Sequence, residues 1–181
     1  MGWKGKYDIE FKGLKEGLHD YGFEIDNKFF EHFEESLVET GNVQVKVHLE
    51  KRSAFLKLNF EFAGWVELIC DRCLEPYKQD VELETEMFVK FGEENEFDEG
   101  DNVIWVLPEE HVLNLAQVIY EYTVLSIPLK HVHPDKTGEN SCNPEMTAKL
   151  NKYMRTEKEG KDEDEEIDPR WAALKNLKNN N

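Results

Sequence analysis

The stretch that decides the fold is Val43-Gln44-Val45-Lys46-Val47-His48-Leu49, echoed by Leu56-Lys57-Leu58-Asn59-Phe60-Glu61-Phe62. Apolar and polar residues alternate strictly in both runs. Successive side chains of a strand point to opposite faces, so each run is a half-buried antiparallel strand with one wet face. A third run obeys the same rule, with Val81, Leu83, Thr85, Met87, Val89 and Phe91 opposite Glu82, Glu84 and Glu86. Between them Val66, Leu68 and Cys70 share a face, and Gly64 reads as the turn or bulge that precedes them. Cys70 to Tyr77, which holds Pro76 and several charges, reads as a connection.

Outward from this meander the period becomes helical. Upstream, Asp26 caps a helix that puts Phe29, Phe30, Phe33 and Leu37 on one face and ends before Gly41. Tyr7 to Leu14 reads as a short strand. Downstream, Val103 to Leu107 returns as a short strand after an acidic loop from Gly92 to Asp101. Asn114 caps a second helix, with Gln117 reaching back and Leu113 and Val118 placed as a hydrophobic staple. Its buried face is Leu115, Ala116, Ile119 and Tyr122. Asn143-Pro144 opens a short third helix carrying Met146, Leu150 and Tyr153. The expected architecture is α+β, an antiparallel β-sheet meander packed against a few helices. One domain covers residues 1–155, an acidic disordered linker covers 156–167, and a short C-terminal helix with its tail covers 168–181.

Charge narrows the function. The formal net charge is -17, with 34% of residues charged and only 39% hydrophobic, so a compact body carries long solvated acidic segments. Most of such a surface repels nucleic acid, whose affinity for proteins comes mainly from Lys and Arg neutralising phosphates. It favours basic partners, among which ribosomal proteins are abundant, although plain solubility accounts for it equally well. Neither a signal peptide nor a membrane span is expected, and Lys6 stands where a myristoylation site needs Ser or Thr. Three cysteines with one close pair make no disulfide framework, so the reducing cytoplasm is the expected location.

Two foci carry candidate chemistry. Cys70 and Cys73 have zinc-knuckle spacing, and His131, His133 and Cys142 are available to complete four ligands. Against that stands a simpler reading, in which Cys70 continues the apolar face of its strand as a small hydrophobe. A redox CxxC fits less well, because thioredoxin-type pairs open a helix, whereas Pro76 and an alternating strand follow here. Arg72, between the two cysteines, can meet a phosphate or carboxylate bidentately, or pair with Asp71, Glu75 or the acidic loop. The second focus is Asp168-Pro169-Arg170-Trp171, a cap, a first-turn proline and two residue types that dominate interface energies. That short helix is marginal alone and docks on its own domain or on a partner. No Ser-His-Asp, paired-carboxylate or glycine-rich phosphate constellation stands out, and no small-molecule substrate is expected.

Three pieces in order carry a resemblance: Cys70-Asp71-Arg72-Cys73-Leu74-Glu75-Pro76, then Ile127-Pro128-Leu129 with His131, then Asp168-Pro169-Arg170-Trp171-Ala172-Ala173-Leu174. The chain resembles the YceD-like family, whose members show a Cys-x-Arg-Cys-Leu signature and a closing Asp-Pro-Arg motif. The further cysteine cluster that many relatives carry before that motif is here Cys142 alone. The resemblance implies a role in the synthesis, processing or stability of large-subunit (23S) ribosomal RNA. The expectation is therefore a non-enzymatic factor in ribosome biogenesis that binds a ribosomal protein, an assembly factor or ribosomal RNA. Direct RNA binding requires Lys4, Lys6, Lys12, Lys51, Arg52 and Lys57 to gather on one face. The rival is a zinc-binding nucleic-acid-processing or RNA-modifying enzyme, which needs three ligands, a base and an open position, whereas only the CxxC is compact in sequence.

Overall fold

A computed structural model describes residues 2–92, 102–134 and 141–154. Its centre is a five-stranded sheet of β2 (Gly17–Ile25), β3 (Gly41–Lys51), β4 (Phe55–Ile69), β5 (Pro76–Phe91) and β6 (Val103–Val106), in that spatial order. β1 (Asp8–Ile9) pairs with β7 (Leu113–Asn114) as a separate small ladder. The helices are α1 (Asn27–Phe30), α2 (Ala116–Leu125) and α3 (Pro144–Tyr153). The fold is α+β, as the alternating runs require.

The expected antiparallel meander is β2 to β5, and a parallel edge strand makes the whole sheet mixed. β2 to β5 are antiparallel, but β6 lies parallel to β5, with Phe88 opposite Val103 and Phe91 opposite Val106. A chain that leaves Phe91 and re-enters beside Phe88 must run the same way, and 11 residues between the strands give it room.

Gly64 is neither turn nor bulge. β4 runs unbroken past it, with Val43 opposite Gly64 and Asn42 opposite Trp65. The even-numbered face from Leu56 through Phe62 to Val66, Leu68 and Cys70 never changes parity. A Cβ at Gly64 would lie 2.2 Å from the Asn42 carbonyl oxygen and 2.7 Å from Val43 Cα. Glycine is there because two backbones approach closely.

Valines of β3 and the even residues of β4 other than Gly64 join Val81, Met87 and Val89 in the core, all nearly inaccessible to water. Each such side chain contributes about 1.5–3 kcal/mol by burial. Tyr122 of α2 covers this face, edge-on to Phe60 at 5.6 Å between ring centroids.

Asp26 caps α1 as expected, accepting from the Phe29 N–H at 3.2 Å, but the helix stops at Phe30. Glu35 adopts left-handed backbone (φ 56°), and the Ser36 hydroxyl turns the chain by bonding both backbone groups of Val38. The gain is packing: Val38 is fully buried and Phe33 stacks on Tyr120 at 4.0 Å, while Leu37 is left exposed. Aromatic packing outweighs continuation of the helix. The expected strand from Tyr7 shrinks to Asp8–Ile9 because Trp3–Tyr7 forms a 3-10 turn that buries Tyr7 against Phe29. Asn114 sits in β7, accepts from the Ala116 N–H at 3.2 Å, and donates to the Lys4 carbonyl at 2.8 Å. Gln117 donates to Glu121 instead of reaching back.

The chain divides into two units, Met1–Asn143 and Pro144–Asn181. In the second, the described part is α3, which opens at Pro144 and buries no residue. The expected linker and the Asp168-Pro169-Arg170-Trp171 helix lie outside the described residues. Among the described residues, no helix is long and apolar enough to cross a membrane.

Candidate metal centre

β4 and β5 are joined by the turn 70–75, where the expected connection lies. Cys70, just past the end of β4, continues its buried face. Its N–H donates to the Glu75 carbonyl at 2.9 Å, and its carbonyl accepts from the Leu74 N–H at 2.9 Å. The Arg72 N–H points at Cys70 Sγ, 3.4 Å away. Closing so tight a loop puts Leu74 in left-handed backbone, φ 59°. Pro76, which has no N–H to give, begins β5.

The segment after α2 crosses this turn. Asp71 and His131 bind each other twice: the Asp71 N–H donates to the His131 carbonyl at 2.7 Å, and the His131 N–H to the Asp71 carboxylate at 2.8 Å. Two residues on, the His133 ring is buried and tilted against Tyr77, 5.1 Å between centroids. Its Nδ1 lies 3.5 Å from Cys73 Sγ and 3.6 Å from Cys142 Sγ, while Cys70 Sγ lies 3.7 Å from Cys142 Sγ.

Four ligand atoms, from Cys70, Cys73, His133 and Cys142, therefore lie within 4.8 Å of one another. Zinc bonds of about 2.3 Å to sulfur and 2.0–2.1 Å to nitrogen give tetrahedral edges of about 3.8 Å (S···S) and about 3.6 Å (S···N). The three quoted separations sit on those values. Three soft thiolates and one imidazole are also a zinc-type donor set.

Protonation follows the same geometry. Burial alone raises the Cys70 thiol, but the Cys73 and Arg72 N–H groups and the His133 side chain outweigh it and bring Cys70 down to about 6. Burial pushes the Cys142 thiol up, and the neighbouring Cys70 and Cys73 sulfurs push it further. Two clustered thiolates repel each other unless a cation lies between them.

Of the five candidate ligands, the structure brings four together. His131 is engaged through its backbone with Asp71 and is not in the cluster. Arg72 is exposed on the turn. Two members of the expected basic face are turned to backbone: Lys51 Nζ points at the carbonyls of Phe11 and Leu14, 2.8 Å from each, and Lys12 Nζ at that of Pro108. Arg52 pairs with Glu50 at 2.7 Å. Sequence reading missed Asp71 and Tyr77 as the residues that position His133. Their adjacency to the CxxC was the available signal.

An α+β body with a Cys3His cluster clamping a strand-to-strand turn is a knuckle-bearing scaffold. The chain belongs to the YceD family: residues 58–178 match the family described as Large ribosomal RNA subunit accumulation protein YceD. The match takes in the turn, the cluster and the C-terminal motif. No curated protein and no solved structure matches the chain.

Proposed function

We propose that this chain is a cytoplasmic, non-enzymatic factor that supports large-subunit ribosomal RNA accumulation by binding a ribosomal component, with a structural zinc ion on Cys70, Cys73, His133 and Cys142. The observation that carries this reading is that the cluster offers four protein ligands. A catalytic zinc keeps one position for water or substrate, whereas a site filled by four side chains holds structure. What it holds is the turn presenting Arg72 and Leu74 to solvent, the latter 68% exposed. An exposed arginine on the same turn as an exposed leucine offers residue types suited to docking. The acidic faces of β5 favour a basic partner elsewhere on the body.

The test is elemental analysis of the purified chain together with a native pull-down of the tagged chain. One equivalent of zinc, lost in Cys73→Ser, and recovery of large-subunit components that weakens in Arg72→Glu are expected. Turnover of a nucleic acid by the pure protein, abolished by changing Cys70 or Cys73, would overturn the reading in favour of the zinc enzyme.

A further inference from the structure

The wet face of the sheet is acidic along most of β5, but its end beside the β3–β4 turn is different. Strand register places Phe55, Lys90 and Trp105 side by side across β4, β5 and β6. The next row on the same face is Lys57, Phe88 and Val103. Rings and cations thus alternate along the first row and between β4 and β5 in both directions, as on a chequerboard. Arg52, on the turn, lies 5.8 Å from the Phe55 ring, Lys57 lies 5.5 Å from Phe88, and Lys90 lies 5.5 Å from Trp105. Phe55 and Phe88 are 6.0 Å apart, and all three rings are half-buried, so each retains accessible surface.

We propose that this end of the sheet is a binding platform for single-stranded RNA, with Phe55, Phe88 and Trp105 stacking bases and Arg52, Lys57 and Lys90 meeting phosphates. The inference rests on the ribosomal RNA reading above and names the partner of one surface. Stacking on aromatic rings and charge on the backbone are the two terms that hold single strands without reading sequence. Both are present here at adjacent register positions. Charge complementarity selects the occupant: on a chain of net charge -17, a polyanion is repelled elsewhere and accepted where three cations meet. An acidic peptide would use the cations and leave the rings without a role. Glu50 and Glu86, which pair with Arg52 and Lys57 at 2.7 Å, are no obstacle, because exposed ion pairs are weak and exchange readily for phosphate.

The test uses the full chain and a fluorescein-labelled 12-nucleotide uridine RNA, read by anisotropy across a salt titration. Phe88→Ala/Trp105→Ala is expected to weaken binding by about 10-fold or more. Lys57→Glu/Lys90→Glu is expected to weaken it and to flatten the log-log salt slope by about 0.7 for each phosphate no longer neutralised. Trp105→Phe keeps a ring and is expected to retain most affinity. If the double variants do not fold, amide and indole shifts of the unaltered chain on RNA addition give the answer, and must centre on residues 55, 57, 88, 90 and 105. RNA binding that ignores the platform but is lost in Arg72→Glu overturns the platform and leaves the ribosomal RNA role standing. Polyglutamate competing as well as RNA overturns it too, since rings would then be idle. Failure to bind RNA, with a basic ribosomal protein still recovered, overturns the platform alone. Failure to recover any ribosomal component overturns the parent reading as well.

Discussion

Asp71 and His131 exchange two hydrogen bonds, one through backbone alone and one through the Asp71 carboxylate. This pair seats the segment after α2 on the knuckle turn, two residues before His133 meets Cys73. The cluster is preorganised by a residue that is not itself a ligand.

Asp71→Ala is therefore expected to keep the fold but to weaken metal retention by about 10-fold, the usual cost of losing an outer-shell partner. Competition with a chromogenic chelator measures this. Cys73→Ser should lose far more, because it removes a ligand. Equal loss in both variants would mean that Asp71 acts on the fold. Retention should also fall as pH drops, since the ligands must be deprotonated.

How much of this was legible follows from sequence distance. The alternating runs of β3, β4 and β5 declare themselves because period two is local. The parallel placement of β6 is invisible to periodicity, which reports a strand's faces and not its direction. Likewise the CxxC was plain, while the choice of His133 over His131 depends on Asp71, 60 residues before His131. Phe33 and Leu37 fit a helical face, and only the stacking on Tyr120 of a later helix shows why that helix breaks. The chequerboard was hidden for the same reason, being assembled from three strands.

Gly64 gives a stability prediction with its own control. Gly64→Ala forces a methyl into the Asn42–Val43 backbone and is expected to cost about 2–3 kcal/mol, the range for overpacking that cannot relax by a rotamer change. Gly22→Ala lies on the edge strand β2 with nothing within 4 Å of the new Cβ, and should be neutral or stabilising by about 0.5–1 kcal/mol. Urea denaturation of the two variants beside the parent chain checks both signs.

Leu74 stores strain in the open. It holds left-handed backbone, φ 59°, yet is 68% exposed and so recovers little by burial. Leu74→Gly is expected to leave stability unchanged or raise it by up to about 1 kcal/mol, since relief of strain offsets the entropy glycine adds to the unfolded chain. If the turn is a docking surface, the same variant should recover less ribosomal material. Unchanged stability with weaker binding would mark the leucine as kept for its partner. Reduced stability would show that it packs.

The wet face of the sheet also carries a proton-linked pair. His48 Nδ1 is bonded to the Asp20 carboxylate of the neighbouring strand, and its Nε2 lies 3.5 Å from Glu61. The bond to Asp20 raises the His48 pKa above its ordinary value, against a smaller opposing effect of desolvation, with the charges of Asp20 and Glu61 adding to the rise. A raised folded-state value means that the favourable pairing is fully present below the ordinary histidine range and is lost as pH climbs through the raised value. Asp20→Asn removes the main cause, so the His48 ring proton signal followed by NMR should titrate at lower pH in that variant. The β2–β3 ladder should then lose its dependence on pH across the same window, read as amide exchange of residues 19–21. An unchanged His48 midpoint would assign the shift to Glu61 instead, and Glu61→Gln would then be the variant that moves it.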